Sequence, residues 1–155
     1  MELELAPHLG VGRFRLGMAV AEARDVVREW GLFRVVASDA SPGQIVLTHD
    51  GSLLNIVLGF TKGALSGVEL FRFLREDADV RVLLDGLDVF RTPSEALLEQ
   101  LAERGRVIEE NDLGFDALPE LKMILSNQSS HAHPADEAGD PIYFDYVLVA
   151  TEIAP

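Results

Sequence analysis

The chain has 155 residues, no Cys, 48% apolar residues and a formal charge of −13, from 26 Asp and Glu against 13 Lys and Arg. That length fits a single domain over 1–155, and the apolar content is too high for a disordered acidic chain. Without Cys there are no disulfides, thiolate metal sites or cysteine nucleophiles, and the acidic field disfavours nucleic acid and anionic membrane surfaces while suiting a basic protein partner.

Met1-Glu2-Leu3-Glu4 carries acid where a signal peptide needs Lys or Arg, and no run approaches the roughly 20 apolar residues of a membrane helix. The cytoplasm is the expected compartment. Gly10 to Gly17 alternates Phe14 and Leu16 with arginines and reads as one short strand. From Met18 to Trp30, Val20, Ala23, Val26, Val27 and Trp30 recur at helical spacing, and Gly31 follows as a left-handed cap. Residues 33–37, 44–48, 53–60 and 65–73 are strand candidates joined by short loops, which force antiparallel neighbours. Asp50-Gly51 is the pair a type I′ hairpin turn prefers.

The acidic stretch Arg75-Glu76-Asp77-Ala78-Asp79 breaks the chain. Val80 to Leu84 and Leu87 to Phe90 follow as strands around Asp85-Gly86. Thr92-Pro93-Ser94-Glu95 has the order of a capping box, with Leu97, Leu98, Leu101 and Ala102 on one helical face and Gly105 as the stop. Strands are expected at 107–110 and 121–126, joined by a loop, and at 142–151 after a polar loop over 127–141. Strand, helix, strands thus occurs twice, over 10–74 and 80–151, as a diverged duplication would give.

Gly12-x-Phe14-x-Leu16-Gly17-Met18-x-x-x-Glu22 resembles the opening of small bacterial domains that pack a helix on an antiparallel sheet. Such domains include β-lactamase-inhibitor proteins and the small outer-membrane assembly lipoproteins. The resemblance covers residues 12–31 and implies protein binding through an exposed sheet face and loops. The lipoprotein signal and its cysteine are missing, and no functional residue carries over.

Three constellations have chemical content. His131-Ala132-His133 with Asp136 offers two imidazoles and a carboxylate, the donor set of a two-His-one-carboxylate metal site, although Ser129, Ser130, Pro134 and Gly139 favour a loop. His49-Asp50 with Ser52 has the residue types of a nucleophile and its base, but adjacent strand residues face opposite sides. Glu76, Asp77 and Asp79, with Glu109, Glu110 and Asp112, are acidic clusters able to meet a basic protein. Trp30, Phe33, Phe71, Phe73, Phe90 and Phe144 read as core.

The expected fold is α+β: two helices on one face of an antiparallel sheet of about seven to nine strands. The expected function is a non-enzymatic module of the immunity or inhibitor kind, with no cofactor, that sequesters a basic protein through its acidic loops. The alternatives are a metal- or small-molecule-binding enzyme centred on His131 and His133, and a homodimer formed through an exposed face or an edge strand such as Ile142 to Ala150.

Overall fold

Glu2, Leu3, Glu4 and Leu5 alternate, so a strand puts both leucines on one face, and β1 (Glu2–Ala6) buries them. The structure, a computed structural model, describes residues 1–38, 43–110, 114–127 and 133–153. The Gly10 to Gly17 segment is a hairpin rather than one strand. β2 (Gly10–Val11) pairs with β3 (Phe14–Arg15), and the chain reverses at Gly12, whose φ of 55° leaves no room for a Cβ, which would lie 2.6 Å from the Trp30 ring.

α1 (Val20–Trp30) has the expected period, and Glu22 accepts a hydrogen bond from Ala19 N–H at its start. Gly31, with φ of 69°, donates its N–H to the Val27 carbonyl and ends the helix. A four-strand antiparallel meander follows: β4 (Arg34–Ser38), β5 (Gln44–His49), β6 (Leu54–Thr61) and β7 (Ala64–Phe71). The β5–β6 connection is not the expected type I′ turn. The positive φ falls on Leu53, while Ser52 N–H and Leu53 N–H both donate to the His49 carbonyl, closing a longer loop. Two positive φ values in succession occur instead at Lys62-Gly63, after β6, and at Asp85-Gly86.

Asp85-Gly86 joins β8 (Arg81–Leu84) to β9 (Leu87–Asp88). α2 (Ser94–Glu103) has Pro93 at its N-cap, and no side chain caps it, so the Thr92 capping box is not formed. Ser94 N–H and Oγ both donate to the Ile142 carbonyl, and this long-range anchor satisfies the first amide of the helix. β10 (Glu109–Glu110), β11 (Phe115–Leu118), β12 (Met123–Ser126) and β13 (Tyr146–Ala150) complete the chain. β11 replaces the loop expected there and pairs with both β10 and β12.

The fold is α+β, with its strands in two sheets rather than one. The larger has eight strands in the order β10-β11-β12-β13-β7-β6-β5-β4, all antiparallel. The smaller runs β3-β2-β1-β8-β9, and its β1–β8 pair is parallel. The element order from β2 to β7 (hairpin, helix, four strands) recurs from β8 to β13, and the halves meet at β13–β7. β13 is therefore central and paired on both sides, so the stretch Ile142 to Ala150 is not an edge available for dimerisation.

One core unites the elements. Leu47, Ile56, Leu70, Val147 and Leu125 form a row across the inner face of the large sheet, all fully buried. Leu97 and Leu101 of α2, Ala23 and Val27 of α1, and Leu3, Val82 and Leu84 of the small sheet join them in the same cluster. Burying a side chain of this size stabilises the fold by roughly 1.5–3 kcal/mol, which fixes which face of each strand points inward.

Candidate protein-binding surface

The pleat that turns those leucines inward turns every second residue of the large sheet outward. Register aligns one outer row across seven strands: Ala117, Ile124, Leu148, Glu69, Val57 and Val46, with Ala37 at the β4 edge. Beside it runs Phe115, Ser126, Tyr146, Phe71, Asn55 and Thr48. The apolar members Phe71, Phe115, Ile124, Leu148, Val57 and Val46 are only partly buried, and none belongs to the core cluster. Phe71 was expected in the core, but its strand parity places it outside, where it packs edge-on to Tyr146 with ring centroids 5.3 Å apart.

Glu69 sits at the middle of this face. It accepts a 2.7 Å hydrogen bond from the Tyr146 hydroxyl, and burial first, then Glu69, raises the Tyr146 phenol pKa above its ordinary range. Eight strands about 4.8 Å apart span roughly 34 Å, and a five-residue strand runs ~17 Å. That gives a sheet of on the order of 600 Å² against the ~800 Å² each partner contributes to a specific protein interface, with Thr48, Ser126 and Tyr146 of the second row already buried. An aromatic and aliphatic centre with few charges is the composition of an interface core.

The acidic residues singled out in the sequence are placed apart. Glu109 and Glu110 form the β10 edge of the large sheet, both exposed, with Glu109 on the outer face opposite Ala117. Glu110 stands opposite Asp116, whose carboxyl pKa is raised by burial and then by Glu110. Asp112 lies outside the described residues. Asp77 and Asp79 are exposed in the loop after β7, a strand four positions from β10 in the large sheet.

Glu76 is not a free member of that patch. It takes Arg72 Nη1 and Nη2 at 2.5 and 2.8 Å, and this pairing lowers its carboxyl pKa. Arg72 is only 2% exposed. Its Nε donates to the Phe90 carbonyl at 2.8 Å, and the guanidinium lies 4.4 Å from the Phe73 ring centroid and 4.8 Å from that of Tyr143. Asp145 is enclosed beside it, its carbonyl accepting Arg72 N–H. No sequence pattern announces this cluster, because its members come from opposite halves of the chain.

His133, one of the two expected metal ligands, faces this cluster, with Nδ1 3.5 Å from Arg72 Nη1. Burial lowers its pKa, while Asp145 and Glu76 oppose that shift and Arg72 adds to it. Asp136 accepts the N–H groups of Ala138 and Asp140, the work of a turn residue. His131 lies outside the described residues, and no group of three His, Asp or Glu able to hold a metal occurs among the described residues.

His49, Asp50 and Ser52 also resolve into a turn. His49 Nδ1 lies 2.7 Å from Ser52 Oγ, which accepts Leu54 N–H, and Ser52 is fully buried. Asp50 turns away to a bidentate pair with Arg34. The carboxylate therefore does not orient the imidazole as a catalytic triad requires.

Exposed acid is also arrayed on α2, where Glu95, Glu99 and Glu103 recur every four residues along the outer side. Six of the 13 Lys and Arg are held in ion pairs among the described residues, and most of the described Asp and Glu are exposed. No family model, no curated protein and no solved structure matches the chain.

Proposed function

We propose that the protein is a non-enzymatic binding module of the immunity or inhibitor kind, which captures a basic protein partner on the outer face of its large sheet. The observation that carries the reading is that face: apolar and aromatic at its centre, outside the core cluster, with Glu69 in its middle and Glu109 at its rim. The apolar centre supplies affinity. The charge of −13 draws a cationic partner in and orients it, an effect on association rate that salt suppresses. Glu109 belongs to the rim in this reading, Glu110 alternates to the inner side of the β10 edge, and Glu76 holds Arg72 instead. The resemblance of residues 12–31 to helix-on-sheet domains that bind proteins through an open sheet face points the same way.

The test is capture of partners from lysate by the wild-type chain and by Val46→Arg/Leu148→Arg, at low and at high salt. Both substitutions lie on the partly exposed outer face, and thermal melts establish that the variant folds. The expected result is a basic protein retained by the wild type, released by salt and lost with the variant. Retention that ignores both salt and the substitutions would overturn the proposal.

A further inference from the structure

A second surface lies on the opposite side of the large sheet, at its β4 edge, and is independent of the face proposed above. Val35 and Ser38 of β4 pair with Leu47 and Ile45, so all four point to the side covered by the helices. α1 does not reach far enough to cover the edge strand. Val35 stays 46% exposed, and between α1 and β4 runs a groove of about 350 Å³ lined by Arg24, Val27, Arg28, Val35, Ser38 and Ile45. Its floor is aliphatic, because Val27 and Ile45 are buried members of the core.

Among the described residues, both charged side chains that line the groove are cationic, on an acidic molecule. At 100° per residue, Arg24 and Arg28 project from the flank of α1 beside Val27, whereas Glu22, Asp25 and Glu29 project from the far side. Arg24 Nη2 reaches 3.4 Å across to Ser38 Oγ. Arg28 pairs with Asp25 on the exposed surface, where such a pair is worth little and is readily exchanged. Two guanidinium forks above an aliphatic floor match a ligand with a carboxylate head and one alkyl chain. The volume is at the small end of ligand sites, which fits a single short chain.

We propose that this groove binds a medium-chain fatty acid, its carboxylate held by Arg24 and Arg28 and its chain laid along Val27, Val35 and Ile45. The head group fixes the direction of the chain, and each methylene that reaches the floor adds affinity by leaving water.

Calorimetric titration with hexanoate, octanoate and decanoate, each below its micelle concentration, tests this. Affinity is expected to rise about fourfold per added methylene until the groove is full. Decylammonium should bind at least tenfold more weakly than decanoate, and amide chemical shifts should move at Val27, Val35 and Ile45. Arg24→Gln/Arg28→Gln should weaken decanoate about tenfold and leave decanol unchanged, while Val35→Asp abolishes both. Val35 and Arg28 are exposed, and melts of the free variants separate lost binding from lost folding. No saturable binding, equal binding of decylammonium, or shifts confined to another surface would overturn the proposal. So would binding of a peptide with an apolar C-terminal residue in the absence of decanoate binding.

Discussion

At Arg72 the guanidinium is enclosed, with Nε on the Phe90 carbonyl, both Nη atoms on Glu76, and aromatic rings of Phe73 and Tyr143 against its plane. Arg72→Ala leaves that carbonyl unbonded and a void between the rings, and is expected to cost about 3 kcal/mol. Glu76 is itself half-exposed, and Gln keeps an acceptor beside the enclosed guanidinium but not its counter-charge, so Glu76→Gln is expected to cost about 1–2 kcal/mol. Urea midpoints at unchanged slope check both, and equal losses would place the stabilisation in the ion pair instead.

Asp88 works in the other direction. Its Oδ1 is buried without a hydrogen-bond partner, and burial raises the carboxyl pKa above its ordinary value despite nearby amides and Arg91. Between the unfolded and the raised folded pKa the native state binds more protons. Stability therefore falls as pH rises through that window, and the penalty is complete above the folded pKa. Asp88→Asn should flatten this slope, matching the parent near pH 3 and exceeding it at pH 7. Denaturation at the two pH values measures the difference, and an unchanged slope would refute it.

Among the elements, α2 carries its charge against its own interest. Glu95, Glu99 and Glu103 stand in like-charge i,i+4 pairs, and its last turn has no basic residue to meet the helix dipole. Glu99→Arg turns two repulsive pairs into attractive ones and is expected to add about 1 kcal/mol, read as a higher melting temperature. A lower one would show that Glu99 has a structural role.

What the sequence displays at this scale depends on how local the cause is. α1, its Gly31 cap, the β4–β7 meander and the Asp85-Gly86 turn follow from periodicity and turn chemistry within a few residues. The Glu2 to Leu5 alternation is also a local strand pattern, but the parallel partner of β1 lies 79 residues away at Arg81 and no local rule names it. Phe115 to Leu118 is a strand because β10 and β12 flank it, and α2 begins at Ser94 because Ile142 accepts its hydrogen bonds. The candidate surface is similarly half visible. Alternation shows that Val57, Glu69 and Leu148 each face away from buried neighbours, yet only the strand order brings them into one row. His133 stands two positions from His131 in sequence, and the fold turns it toward Arg72, 61 residues distant.

For the whole molecule, a charge of −13 means that self-repulsion opposes compactness wherever it is not locally paired. Raising ionic strength from about 10 to 150 mM shortens the screening length from roughly 30 to 8 Å. The melting temperature should rise by a few degrees, because weakened repulsion outweighs the weakened surface pairs. A fall would show that ion pairs such as Arg34–Asp50 and Arg106–Asp85 dominate.

The β13–β7 seam has a consequence for synthesis. The eight residues of β7 find a partner in β6 almost at once, but their other edge waits for β13, with Tyr146 about 75 positions after Phe71. At ~5–20 residues per second, a ribosome takes about 4–15 s to make that stretch. During those seconds the nascent chain presents a long, apolar, unpaired strand edge, the geometry that recruits other strands. The step most exposed to aggregation is therefore the interval before the last strand inserts, when β4 to β7 form a half-sheet whose centre is still a border.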